Sequence, residues 1–385
     1  MAGREDRTDI LIVGGGLMGC AATYYLAKAG AEVLLVERGD LNSQASGATG
    51  GSLHAQIPTE EFHLHGEDWG RAFLPVLRLM TAGVAAWQGL SEEIGTDLEV
   101  STPGGLVVAE TEAEMAWLSR KAAMERDFGI ETEMLDRATL RDLAPYLAEH
   151  AVGAAFCKGE GKANALLAAP ALALAAERHG ARLRRGLEVT DIARESGGYR
   201  VETTAGPIRC ARLLNAAGTG ARRLGRMVGI DLPVRGYPIH MNVTEPTAPL
   251  VRHLVYSAAG RLTIKQAANG TVLIGGGWPA GIDPKAGYPV VLRESIQANL
   301  WLAMRAVPAL AGLQVVRTWA GFVNGTEDWR PILGEAPGLP GYFVAAFPWF
   351  GFTAGPLSGR LMTDLILGRD PGFDLASFAP NAPNA

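Results

Sequence analysis

The chain has 385 residues, 48% hydrophobic and 19% charged, which is ample apolar mass for a packed core and a length typical of about two domains. A formal net charge of −5 argues against nucleic-acid binding by bulk electrostatics, and with no run of about 18 uninterrupted apolar residues no transmembrane segment is predicted. Cys20, Cys157 and Cys210 lie far apart without CxxC spacing, so they read as buried free thiols in a reducing compartment.

The charged start "MAGREDRTD" leads straight into a strand and leaves no room for a signal peptide, which points to a cytoplasmic protein. Residues 9–14 read as a buried strand, 17–29 as a helix and 32–37 as a second strand, a βαβ unit with short turns. A loop of small residues follows at 42–54. In "FHLHGED" (62–68) His63, His65 and Glu67 alternate as metal ligands on a strand would, but no fourth ligand accompanies them, and the segment reads as solvated, with no metal. Residues 70–94 and 112–128 look helical, and 98–110 looks like strand and turn. The apolar run at 163–180 is interrupted by Pro170 and reads as a buried helix ending at Gly180. Strand, hairpin and strand come next, closing with "LLNAAGTGA" turning into a helix. A β-rich block at 232–282 has a hairpin turn at Asn269-Gly270. Residues 317–367 supply two strands and a last helix from about 355. The strands of the first unit need neighbours, so a domain discontinuous in sequence is expected.

Chemistry enters at "VGGGLMG". Gly14 permits the tight strand-to-helix turn, Gly16 lets a pyrophosphate approach the backbone, and Gly19 packs helix on strand. The helix N-terminus then offers free N–H groups to phosphates. Glu37 ends the second strand, where a carboxylate can accept both ribose hydroxyls; an acid there favours NAD or FAD over NADP. Two further small-residue clusters separate those. "QASGATGGS", with Ala45, Ser46, Gly50, Gly51 and Ser52, then Leu53, suits a bulky ring with a long ribityl chain. "NAAGTGA", with Ala216 and Gly218, suits backbone closing over the adenosine side. The cofactor expected is FAD, with Leu17, Met18, Arg38 and Val189 completing its binding set.

Four blocks in order, "DILIVGGGLMGCAATYYLAKAGAEVLLVE", "ASGATGGSLH", "LLNAAGTGA" and "TWAGFVNGTEDWRPILG…GYFVAAFPWFGFTAGPLSGRLMTDLI", resemble the D-amino-acid oxidase superfamily of FAD-dependent amine oxidoreductases. Within it, "ASGATGGSLHAQ", "CKGEGKANALL" and "IKQAANGTVLIGGGWPA" look most like the β subunits of opine and hydroxyproline dehydrogenase complexes. The resemblance implies an α/β fold, α+β overall: a Rossmann-like FAD-binding domain (1–80, 149–228 and 315–385) and a β-sheet-rich substrate domain (81–148 and 229–314) that roofs the flavin. It also places Trp349, Phe350, Gly351, Phe352 and Thr353 beside the flavin. Two departures stand out. Val323 occupies the position of a carboxylate-gripping arginine, and Trp349 that of a histidine; both argue against a simple D-amino-acid substrate. The cysteine that attaches flavin in some members has no counterpart near 317–325, which implies non-covalent FAD.

Four polar residues compete for roles around the flavin. Lys265 in "LTIKQ" either replaces the missing carboxylate anchor or faces solvent from an edge strand. Tyr256 either donates its hydroxyl to substrate or packs in the core. His54 falls close to the flavin ring. Arg235 reads as a structural ion pair or a substrate contact. With no Ser-His-Asp order or paired carboxylates, the chemistry expected is the cofactor's: an amine's α C–H leaves as hydride toward flavin N5, and the imine hydrolyses. The resemblance implies an amino-acid-like substrate such as an opine or hydroxyproline, with electrons passed to a redox partner subunit or a quinone. A stand-alone glycine, sarcosine or D-amino-acid oxidase using oxygen, and a non-catalytic flavin-binding subunit, remain open.

Overall fold

Strand β1 (Asp6–Val13) and strand β2 (Val33–Val36) are apolar through their buried stretches because helices cover both faces of the sheet they enter. The structure, a computed structural model, describes residues 6–380. Helix α1 (Leu17–Lys28) connects β1 to β2, which pair in parallel. The other edge of β1 pairs in parallel with Ile208–Asn215, which in turn pairs in parallel with Tyr342–Ala346. Segments far apart in sequence thus share one eight-stranded sheet.

A second eight-stranded sheet runs in the order Val315–Gly325, Arg235–Pro246, Thr271–Gly275, Thr263–Gln266, Leu254–Ser257, Gly105–Ala109, Gly153–Cys157 and Thr132–Asp136. Gly153–Cys157 and Val315–Gly325 fall inside the stretches assigned from sequence to the FAD domain, so the boundaries at 149 and 315 cut across this sheet. The outermost parts of that assignment, 1–5 and 381–385, lie outside the described residues.

Several elements differ from expectation. The loop at 42–54 contains a short helix α2 (Ala45–Ala48) and a two-residue strand β3 (Ser52–Leu53). Helix α3 (Thr59–Ile94) begins well before residue 70 and runs through a break at Gly66, whose φ is 76°. His63, His65 and Glu67 therefore sit on helix, where alternate residues diverge: His63 lies against Trp117 and His65 pairs with Glu61 at 3.2 Å. By length and composition α3 is the one helix among the described residues long and apolar enough to cross a membrane, but Phe73, Val76, Leu77, Met80, Val84 and Trp87 are buried in the protein core. The C-terminal part has three strands, not two, and its helix Gly351–Ile366 starts four residues before the expected 355. The three cysteines are free and buried, and burial pushes Cys20 and Cys210 up to about 12.

Candidate active site

A deep cleft opens at the carboxyl ends of β1 and β2, lined there by Val13 and Val36, where open parallel sheets bind ligands. Gly14 turns the chain with φ +121°, and a Cβ on it would lie 2.4 Å from the Ala216 carbonyl oxygen. Gly16 caps α1 without any side-chain cap, so first-turn N–H groups face the cleft; the Leu17 N–H donates to Ser46 Oγ at 3.0 Å. A Cβ on Gly19 would lie 2.0 Å from the Gly14 carbonyl oxygen, so this glycine holds helix against strand. The Glu37 carboxylate braces the turn, accepting from the Gly15 N–H at 2.7 Å and the Gly39 N–H at 2.9 Å, and still borders the cleft.

Of the residues expected at the cofactor, Gly14, Gly16, Leu17, Met18, Glu37, Arg38, Ala45, Ser46, Gly50, Val189, Ala216, Gly218, Trp349, Gly351 and Phe352 line this one cleft. Gly19, Gly51, Ser52, Leu53, Phe350 and Thr353 stand behind its wall. A Cβ on Gly51 would meet the Ala163 carbonyl oxygen at 2.1 Å, Leu53 is fully buried, and the Thr353 hydroxyl accepts from the His54 N–H at 3.0 Å. Sequence reasoning missed Ile239, Met241 and Asn324, which line the cleft from the last two strands at one end of the second sheet, Arg235–Pro246 and Val315–Gly325. Ile239 and Met241 are two apart on a strand and so share a face; that alternation was the available signal. Val323, the departure noted above, also borders the cleft.

The residues present fit an elongated dinucleotide. The glycine floor leaves room where side chains would clash, and the uncapped first turn of α1 supplies donors. Trp349, at φ 55° and stacked on Trp329 at 4.9 Å, keeps a buried indole N–H on the cleft wall without a partner among the described residues.

Beside the cleft lies a polar cluster that the sequence only half disclosed. His54 Nδ1 and the Tyr256 hydroxyl are 2.7 Å apart, and His54 packs edge-on against Phe350 at 5.1 Å. Burial raises the Tyr256 hydroxyl well above its usual value, with the Glu160 carboxylate adding to the shift. The Glu160 carboxylate accepts from the Ala55 N–H at 2.9 Å and from Gln56 Nε2 at 2.7 Å. Lys121 Nζ donates to Gln56 Oε1 and to Glu125 Oε1, both at 2.6 Å. Glu160, Lys121 and Glu125 are fully buried. Burial, reinforced by Lys265, pushes His54 down to about 3, whereas burial raises Glu160 to about 7 against the pull of its donors. Glu160 was overlooked because one glutamate in "CKGEGK" forms no pattern.

Lys265 corrects one expectation. Its strand, Thr263–Gln266, is interior to the second sheet, and the side chain is only 2% exposed, so the solvent-facing alternative fails. Nζ donates to Ser52 Oγ at 2.7 Å, and a Cβ added to Gly50 would lie 2.6 Å from it. The cation therefore abuts the cleft wall from behind. Burial, then the neighbouring Lys162, lowers it to about 7. Tyr256 is likewise no plain core tyrosine, since its hydroxyl is committed to His54. Arg235 pairs with Glu327 at 3.3 Å on the exposed surface, the ion-pair alternative.

Comparison with known proteins agrees with this geometry. The profile of the family described as "FAD dependent oxidoreductase" (DAO) matches residues 9–365. A glycine oxidase of Geobacillus kaustophilus is 32% identical over 381 residues, covering 97% of this chain and 96% of that protein. An opine oxidase subunit of Agrobacterium tumefaciens is 30% identical over 355 residues, covering 88% of each. The crystal structure of glycine oxidase from Geobacillus kaustophilus superposes with a TM-score of 0.88 at 31% identity, over 99% of this chain and 100% of that one.

Proposed function

Because the chain belongs to the DAO family of FAD-dependent oxidoreductases, we propose that it oxidises the C–N bond of a small secondary-amine carboxylate of the opine or hydroxyproline kind. FAD, when bound, supplies the acceptor for the electrons of that bond. The first turn of α1 and Gly14 to Leu17 would hold its phosphates, Glu37 its ribose hydroxyls, and Gly50, Met241 and Trp349 its ring, all without a covalent link. In this proposal the first sheet holds the dinucleotide's phosphates and ribose, and the second sheet covers its ring and carries the substrate contacts.

The single observation that carries the substrate reading is the pairing, at one wall, of a buried cation with a neutral imidazole. Lys265 stands behind Gly50 as the counter-charge for a carboxylate, in place of the absent arginine at Val323. His54, held uncharged, is free to accept a proton from an ammonium group, and Tyr256 fixes its ring. Both features suit an amino acid that must be held by its carboxylate and stripped of its amine proton.

We further propose that electrons leave through a partner subunit or a quinone. Likeness to a protein named as one subunit of an opine oxidase supports this. An iron–sulfur cluster on that route would belong to another polypeptide, because a cluster normally takes four thiolates and the three cysteines here are buried apart. The likeness to glycine oxidase supports a second reading, a stand-alone oxidase. Anaerobic mixing with glycine, sarcosine, hydroxyproline and an opine, followed by air, tests both. Bleaching of the flavin by none of them overturns the amine reading. Rapid return of colour with stoichiometric peroxide selects the oxidase; slow return relieved by an artificial acceptor selects the dehydrogenase.

A further inference from the structure

We propose that Thr353 is the positioning residue of the substrate site: its single hydroxyl holds the segment that carries both the Lys265 contact and His54. This rests on the amine-oxidation reading, in which Lys265 meets the carboxylate and His54 takes the proton. It goes beyond that reading by naming what keeps the two in register.

Strand β3 (Ser52–Leu53) is two residues long and has one strand partner, Gly161–Lys162. On that side the Gly51 carbonyl accepts from the Ala163 N–H at 2.9 Å, and Leu53 stands opposite Gly161. Backbone groups alternate along an extended chain, so Ser52 and His54 turn theirs to the opposite edge. Among the described residues no strand pairs with that edge. Instead Thr353 Oγ1, fully buried, accepts from the His54 N–H at 3.0 Å and donates to the Ser52 carbonyl at 3.3 Å. One hydroxyl thus stands in for a neighbouring strand, satisfying a donor and an acceptor two residues apart.

The same two residues reach the site. Ser52 Oγ accepts from Lys265 Nζ at 2.7 Å, and His54 Nδ1 lies 2.7 Å from the Tyr256 hydroxyl. Side chains two apart on a strand share a face, so both contacts leave the segment on one side, about 7 Å apart along the chain. The second sheet matches this spacing. Tyr256 stands opposite Thr263, and Thr263 and Lys265 are two apart, so Tyr256 and Lys265 project from one face of that sheet. The segment therefore docks on the sheet at two points. Its backbone must be fixed for the cation and the imidazole to act on one substrate.

Thr353 is itself held fast. It lies in the first turn of Gly351–Ile366, whose first residues border the cleft. Its carbonyl accepts from the buried Trp87 indole N–H at 2.9 Å, and a Cβ on Gly83 of α3 would lie 2.7 Å from that oxygen. A β-branched side chain has few rotamers open to it, so the hydroxyl is aimed. Serine would offer the same hydroxyl on a looser pivot, and valine the same shape without it.

The test uses flavin-loaded enzyme, with acetate as the carboxylate probe and sarcosine as the probe amine. Three readings are taken: acetate affinity from the flavin spectrum, the imidazole nitrogen resonances of His54 in histidine-labelled protein, and the limiting rate of anaerobic flavin reduction. Ser52→Ala is expected to weaken acetate about fivefold and leave the His54 resonances in place. Tyr256→Phe is expected to shift those resonances and leave acetate affinity within about twofold. Thr353→Val should do both at once, with the limiting rate down roughly a hundredfold, and Thr353→Ser should recover most of each. If Thr353→Val does not retain flavin, Thr353→Ala is read in its place, since it removes the hydroxyl and adds no new contact. Loss of flavin from both assigns the hydroxyl to cofactor binding and overturns the proposal. Wild-type acetate affinity and His54 resonances in a flavin-loaded variant without the hydroxyl also overturn it, as does a change in one without the other. If sarcosine, glycine, hydroxyproline and an opine all leave the flavin oxidised, the substrate reading fails. The acetate and imidazole readings then still decide whether Thr353 couples the two groups.

Discussion

Gly359 of the last helix rests directly on Ala21 of α1: a Cβ there would come within 2.6 Å of the Ala21 Cβ and 2.7 Å of the Ala22 nitrogen. The helix that presents the glycine turn to the cofactor is thus positioned by a helix from the far end of the chain. Replacing Gly359 with Val forces the two backbones apart, and a loss of about 3 kcal/mol is expected. Equilibrium denaturation measures it; a variant as stable as wild type would show that this contact does not set the helix spacing.

Gly16 offers the opposite case. Its φ of −79° suits any residue, and a Cβ would meet only Ser46 Oγ, at 3.1 Å. Gly16→Val is therefore expected to fold, while its branches fill the approach to the first turn of α1 and prevent FAD retention. The measurements are the flavin-to-protein ratio and the circular dichroism of the variant. Acid treatment of the wild type should release FAD, not FMN, and undiminished flavin in the variant would make the turn purely structural.

Lys265 predicts a signed pH dependence. Its folded value of about 7 lies below the usual 10.5, so the unfolded chain binds the extra proton between those values. The lysine's burial penalty is therefore full below pH 7 and fades as pH rises toward 10.5. Lys265→Met is expected to be more stable than wild type near pH 6, by a few kcal/mol, and to lose that advantage by about pH 10. The same variant should bind a carboxylate inhibitor at least roughly tenfold more weakly. Thermal unfolding against pH checks the first, and inhibitor titration the second; unchanged affinity would remove Lys265 from substrate recognition.

Gly105 makes room for Glu160. A Cβ at this position would lie 1.9 Å from Glu160 Oε2, and the carboxylate has no solvent to retreat into. Gly105→Ala should cost about 2 kcal/mol and pull the carboxylate from its donors. Equilibrium denaturation measures the loss, and a variant as stable as wild type would count against the carboxylate's placement.

What the sequence disclosed follows the range of the interactions. The β1–α1–β2 unit and Glu37 are local, and each glycine has a distinct steric duty, so spacing alone placed them. Lys265 could not be located that way: its neighbours on both sides come from other strands, and "LTIKQ" alternates equally well at an edge or in the interior. Gly66 broke the helical pattern and hid the first turns of α3. Glu160 carries no motif because its donors, the Ala55 N–H and Gln56 Nε2, are brought to it from a segment about a hundred residues away. The roofing strands were legible as strands, but which of them faced the cleft depended on a register no local pattern supplies.

The arrangement of the first sheet also has a bearing on biosynthesis. On one side β1 finds β2 almost at once, but on the other it must wait for Ile208–Asn215, which leaves the ribosome some 200 residues later, roughly 10–40 s at ordinary elongation rates. Throughout that interval an apolar strand has an open edge, the feature that invites pairing with other chains. The nascent protein is therefore expected to occupy a holding chaperone until its middle third has emerged, and production at lower temperature, with such chaperones in excess, should raise the soluble yield.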